Sequence, residues 1–146
     1  LLDDHVAVLV GQVEARHLSS QLAGPLGRSG LRAADLEPIV SAYVTLGELT
    51  GIGSLIPLAQ AIHETGWFTS ARWIQSRNPA GLGATNDGAW GKQFATVAAG
   101  VTAQYAHLLA YAKTDEQLTL PNRILVLLDP RLTAVEQKGY RGIAPR

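Results

Sequence analysis

The chain has 146 residues, 47% of them apolar, which suits one domain with a single sizeable core. Lys plus Arg number 12 and Asp plus Glu 12, and no polybasic tail occurs. That balance removes the electrostatic footprint of a nucleic-acid or anionic-membrane binder but is no obstacle to a neutral glycan. Cysteine is absent, which excludes disulfides, thiolate nucleophiles and thiolate metal sites.

The start, Leu1-Leu2-Asp3-Asp4-His5, lacks the basic residues and apolar run of a signal peptide. No apolar stretch approaches the ~20 residues of a membrane span. The chain reads as a piece of a longer secreted or virion-borne protein, or as one already processed. Residues 4–16, with Val6, Val8, Leu9, Val10 and Val13, fit either a β-branched strand and turn or a short buried helix. Residues 19–30 carry Gly24-Pro25 and Gly27 and read as a surface loop. From Ala33 the spacing of Leu36, Ile39, Val40, Tyr43 and Leu46 predicts a helix, with Asp35 and Glu37 in its first turns and Gly47 and Gly51-Ile52-Gly53 stopping it. Ser54 is expected to cap a second helix, whose stripe of Leu55, Leu58, Ala59 and Ile62 marks it as mostly interior up to Gly66. Residues 76–91 are rich in Gly, Asn, Asp and Pro and predict a structured loop with room for a short hairpin. Residues 97–113 predict a helix packed on the central one. Pro121 opens another through Ile124, Leu125, Leu127 and Leu128, ending near Asp129-Pro130. A short basic tail comes after Gly139. No repeat or linker interrupts residues 1–146, so one domain is expected.

The informative string is Ala59-Gln60-Ala61-Ile62-His63-Glu64-Thr65-Gly66-Trp67-Phe68. A carboxylate here ends an apolar helix beside a glycine turn and two aromatic residues. Burial against Trp67 or Phe68 would disfavour the ionised carboxyl, the tuning a general acid needs. Gln60, one turn earlier, faces the same side and is a candidate to bond the carboxyl or a sugar substituent. The local residues alone leave Glu64 as readily a solvated surface acid. His63-Glu64 does not open a zinc-protease helix, since Trp67 stands where H-E-x-x-H needs its second histidine. His5, His17 and His107 are scattered, so neither metal nor cofactor is expected. The glycine loop at residues 81–88 lacks the Gly-Lys-Ser/Thr of a phosphate site. Asp87, the only carboxylate between Glu64 and Asp115, is the candidate second catalytic acid, or else the side chain of an Asx turn before Gly88.

Over about residues 55–109 the chain resembles the glucosaminidase domains of bacterial autolysins, flagellum-associated muramidase-like proteins and phage lysins, within the lysozyme-like superfamily. Residues 58–67 are similar to that family's AQA-x-x-E-[ST]-G-W helix. Asn78-Pro79-Ala80-Gly81-Leu82-Gly83 resembles its N-N-L-F-G-I loop, and Gly91-Lys92-Gln93-Phe94 with Val101 and Tyr105-Ala106-His107-Leu108-Leu109 resembles the segment after that loop. The resemblance implies a mostly α-helical, lysozyme-like domain with an active-site cleft, its helices 33–49 and 97–113 flanking the one that ends near Glu64.

The same resemblance implies cleavage of the β-1,4 bond at N-acetylglucosamine in peptidoglycan, with Glu64 as proton donor. Trp67 and Phe68 would support its pocket, and Gln60, Asn78, Gly81, Gly83 and Tyr105 would contact the glycan. The implied setting is extracellular, at the cell wall or on a virion, for a monomer whose partner is the glycan strand, with no nucleic acid and no membrane. Two features depart from the family pattern. Only Asp87, in a short connection, stands where the family has an acid-bearing lobe, and Leu132 takes the aromatic place of Asp-Pro-x-Tyr, leaving Tyr140 as the candidate substitute. Scarcity of acids favours one acid assisted by the substrate's N-acetyl group. The alternatives are a lytic transglycosylase and a glycan-binding or structural module without turnover.

Overall fold

The computed structural model describes residues 2–26, 30–85 and 89–143, with side chains described for residues 11–23, 30–85 and 89–143. Helices α1 (Leu2–Leu26), α2 (Ala33–Thr50), α3 (Leu55–Glu64), α4 (Ala71–Ser76) and α5 (Val97–Ala112) precede a 3₁₀ turn at Asp115–Gln117, then α6 (Leu120–Val126) and α7 (Leu132–Gln137).

The core is the pairing of α2 with α5. The periodic stripe of α2 buries Leu36, Ile39, Val40, Tyr43, Val44 and Leu46, and α5 meets it with Val101, Tyr105, Ala106, Leu109 and Ala110. Each fully buried large aliphatic side chain contributes about 1.5–3 kcal/mol, and the same buried cluster takes in Ala15 of α1, Leu58 and Ala61 of α3, Trp73 of α4, Leu125 of α6 and Val135 of α7. Tyr43 and Tyr105 pack at 6.0 Å, and the Tyr105 hydroxyl donates to the Tyr43 carbonyl at 3.0 Å. Helix α1 lies on α2, while α6 and α7 lie on α5. At the start of α2, Asp35 accepts from the backbone N–H and the guanidinium of Arg32. These hydrogen bonds hold its carboxyl below the usual aspartate range. Among the described residues no helix is long and apolar enough to cross a membrane.

The expected lysozyme-like fold is overturned: the described residues form helices only, with no strand, whereas lysozyme-like folds include a β-sheet subdomain. The physical reason lies in the segment where a hairpin had room to form. Its two arms meet through a backbone bond, Lys92 N–H to the Leu82 carbonyl at 2.9 Å, and form no strand among the described residues. Gly81, Gly83 and Gly91 take φ of 60°, 72° and 77°, which breaks the alternation a strand requires.

Other expectations also change. Residues 4–16 and most of 19–30 form one helix, α1, in which the Ser19 and Ser20 hydroxyls bond back to the carbonyls of Ala15 and Arg16 instead of opening a loop. Helix α3 is not the flanked centre. It buries Pro57, Leu58 and Ala61, and leaves Leu55, Ile56 and Ala59 exposed. Ser54 precedes it without a side-chain cap. Helix α6 ends at Val126, and α4 and α7 are six-residue helices too short to show a period in sequence.

Candidate functional site

Gly51, at φ 72°, closes α2 by donating to the Gly47 carbonyl, and the chain then folds back so tightly that a Cβ on Gly47 would meet the Ile52 carbonyl at 3.2 Å. This return lays α3 beside the α2–α5 pair. Its attachment is polar as well as apolar. Gln104, 1% exposed in the middle of α5, accepts from the Tyr43 hydroxyl at 2.6 Å through Oε1. Its Nε2 donates to the Pro57 carbonyl at 3.2 Å and to Gln60 Oε1 at 3.1 Å. One amide thus ties α2, α5 and α3 together, with no buried polar atom of its own left unpaired. Burial, then the neighbouring Tyr105, pushes the Tyr43 hydroxyl well above the ordinary tyrosine value, and burial pushes Tyr105 up to about 12. Both hydroxyls therefore stay protonated donors.

At its far end α3 delivers Glu64, its last residue, to the surface. The carboxylate makes no hydrogen bond or ion pair among the described residues. The backbone just beyond it is unusual: Gly66, Trp67 and Phe68 have φ of 56°, 63° and 60°, one left-handed turn with two bulky side chains in it. Left-handed conformation costs a non-glycine residue roughly 1–2 kcal/mol, so the surroundings must impose it. Thr65 does so. Buried, it donates through Oγ1 to the Ala61 carbonyl at 2.7 Å and accepts from the Phe68 N–H at 2.8 Å. The Trp67 N–H reaches back to the Ile62 carbonyl at 2.8 Å, and Ser70 N–H to Thr65 at 3.1 Å. Phe68 turns inward onto Trp73, rings 5.2 Å apart, while Trp67 remains 46% exposed. The expected burial of Glu64 beside these aromatics is thus not met: Phe68 belongs to the core, and Trp67 shares the open surface with the acid.

The glycine loop is built on Asn78, which is buried. Its Oδ1 accepts from Leu82 N–H at 2.9 Å, and its Nδ2 donates to the carbonyls of Leu82 and Lys92, each at 3.0 Å. With its amide fully engaged, Asn78 shapes the loop instead of reaching a ligand. Gly81 and Gly83 supply the positive φ of the turn closed by the Ala84 N–H on the Gly81 carbonyl. Gly91 allows the arms to touch, since a Cβ there would lie 2.5 Å from the Leu82 carbonyl. The loop carries Trp90, exposed and without functional signal in the sequence.

Tyr105 lies wholly in the core, out of reach of a surface ligand. Tyr140 is partly exposed and pairs with Tyr111 at 6.1 Å, which in turn meets His107 edge-on at 4.9 Å. The His107 Nδ1 lies 2.9 Å from one carboxyl oxygen of the buried Asp129; the other accepts from Arg131 N–H. Asp87 lies outside the described residues. No group of three His, Cys, Asp or Glu capable of holding a metal occurs among the described residues. Comparison with known protein families, curated proteins and solved structures finds no match. The site therefore stands on its own geometry: α3 and its turn bring Gln60, Glu64 and Trp67 to one end of a helix, with Gln104 and Thr65 holding them from beneath.

Proposed function

We propose that the domain cleaves β-1,4 linkages of peptidoglycan glycan strands at N-acetylglucosamine, with Glu64 donating the proton to the leaving oxygen. The observation that carries this reading is the exposed Glu64 directly ahead of a left-handed turn that keeps Trp67 at the surface. Strained bulky residues cluster at functional sites, and an exposed indole offers the flat apolar face on which a sugar ring stacks. A sugar on Trp67 displaces water from the neighbouring carboxyl, and the substrate's acetamido oxygen attacks the anomeric carbon as the bond to the protonated oxygen breaks. Water then opens the cyclic intermediate and gives its proton to the Glu64 carboxylate, which restores the acid. The reading sets the domain outside the cytoplasm, acting on the cell wall as a monomer.

A second reading, a glycan-binding module without turnover, is favoured by the absence of any hydrogen-bond partner for Glu64 among the described residues. Glu64→Gln separates them. If the domain is an enzyme, the substitution abolishes clearing of purified cell walls and spares their sedimentation with the protein. Equal, negligible clearing by both proteins supports the binding module. Product ends separate the chemistries: a reducing N-acetylglucosamine supports hydrolysis, and a 1,6-anhydromuramyl end supports transglycosylation.

A further inference from the structure

The glutamine pair beneath the site has a defined direction. A backbone carbonyl only accepts hydrogen bonds, so the end of the Gln104 amide that faces Pro57 must be its nitrogen. The protonated Tyr43 hydroxyl donating to the other end agrees with that orientation. Gln104 therefore offers a donor to Gln60, and Gln60 must answer with its oxygen. Gln60 is an exposed residue of α3, and its carboxamide nitrogen, with two N–H groups, takes no partner among the described residues. One turn later on the same helix stands Glu64.

We infer that Gln60 is a specificity-determining residue whose amide, held donor-outward by Gln104, binds the acetamido carbonyl of an N-acetylated sugar. A hydroxyl pairs with either a donor or an acceptor, so a surface amide free to flip would not discriminate among sugars. A locked, donor-only amide favours a group that only accepts, and on a β-1,4 glycan the strong group of that kind is the acetamido carbonyl oxygen. Gln104 is then a positioning residue: it touches no sugar and acts by preventing the flip. This assignment rests on the glycan reading of the same site and adds to it which substituent is recognised, and by which atom.

The test is a titration of wild-type protein, Gln60→Glu and Gln104→Met with chitotetraose and with cellotetraose, monitored by NMR. The two sugars share a neutral β-1,4 backbone and differ in carrying acetamido or hydroxyl groups. The wild type is expected to prefer chitotetraose by about tenfold, the upper worth of one net neutral hydrogen bond. Gln60→Glu keeps an oxygen for Gln104 and replaces the outward donor with an acceptor, so the preference should fall to near unity. Gln104→Met frees the Gln60 amide to flip and should lower the preference several-fold. A ratio between two ligands is insensitive to general loss of stability, and Gln60→Glu, at an exposed position, tests the assignment even if Gln104→Met fails to fold. An unchanged preference in Gln60→Glu overturns the assignment and leaves the glycan reading standing. A wild type that binds neither sugar overturns both.

Discussion

Gly100→Ala sets two effects of opposite sign against each other. Gly100 lies in the first turn of α5, where helix propensity alone favours alanine by about 1 kcal/mol. Its surroundings do not. A Cβ there would stand 1.9 Å from the Arg77 carbonyl oxygen, 3.1 Å from the Arg77 carbonyl carbon and 3.2 Å from Pro79 Cδ. The first of these is more than an ångström inside any separation that real Cβ atoms adopt, and it is to backbone, which no rotamer change can move aside. Accommodation requires α5 to part from residues 77–79, which adjoin the Asn78 loop. Overpacking of this kind costs about 1–3 kcal/mol and the separation adds to it, so the net effect should be destabilisation by roughly 2 kcal/mol. That corresponds to a fall in Tm of roughly 4–8 °C for a domain of this size. Urea denaturation of wild type, Gly100→Ala and the exposed control Ala99→Gly measures it, the control losing only about 1 kcal/mol by propensity. A Gly100→Ala protein as stable as wild type, or more so, would refute the close approach of helix and loop.

Asn78→Ala should destabilise by about 2–4 kcal/mol, since it strips three hydrogen bonds and leaves a buried Leu82 N–H unpaired. Asn78→Asp should not rescue it, because two carbonyls require donors at that side chain; thermal melts of both variants decide. Trp67→Gly should be more stable than Trp67→Ala by about 1 kcal/mol, because only glycine adopts φ 63° without strain, and both should lose chitotetraose binding. A more stable alanine variant would show that the turn is unstrained. The carboxyl of Asp35 is held low by the Arg32 hydrogen bonds, so the stabilisation from this pair is present above the unfolded aspartate value of about 3.9 and is lost as pH falls through the lower folded value. Asp35→Asn should therefore flatten the acid limb of stability against pH, and superimposable limbs would overturn this.

Long amphipathic helices were the legible part of the fold. The stripe Leu36, Ile39, Val40, Tyr43 and Leu46 is buried throughout, and residues 97–112 lie where their period indicates. Helix α1 was harder to read, because its valines favour strands locally and its serines look like loop residues until their hydroxyls are seen bonding back along the helix. In α3 the period was legible but the phase was not: Leu55 and Ile56 match the apolar pattern as well as Pro57 and Ala61 do, and only the tight return at Gly47 decides which face is covered. At the site, the placement of Glu64 at the end of α3 was legible from Gly66. The directions of Phe68 and Tyr105 were not, since a sequence cannot show that one aromatic turns into the core while its neighbour stays out. Gln104 offered one signal, a lone amide amid the apolar residues of α5, which marks a group that must find partners when buried.

The way α3 is fastened bears on how the molecule opens. Its apolar seam is short, and the remaining link is one buried amide shared with α2 and α5, whereas α5 packs against α2, α6 and α7. Protection against amide exchange should accordingly be graded, with α5 exchanging only through global unfolding and α3 through a smaller excursion of its own. The acid ends that helix and the tryptophan lies in the turn just beyond it, so a ligand that spans Gln60 and Trp67 would act as a clasp, raising the protection of α3 without altering that of α5.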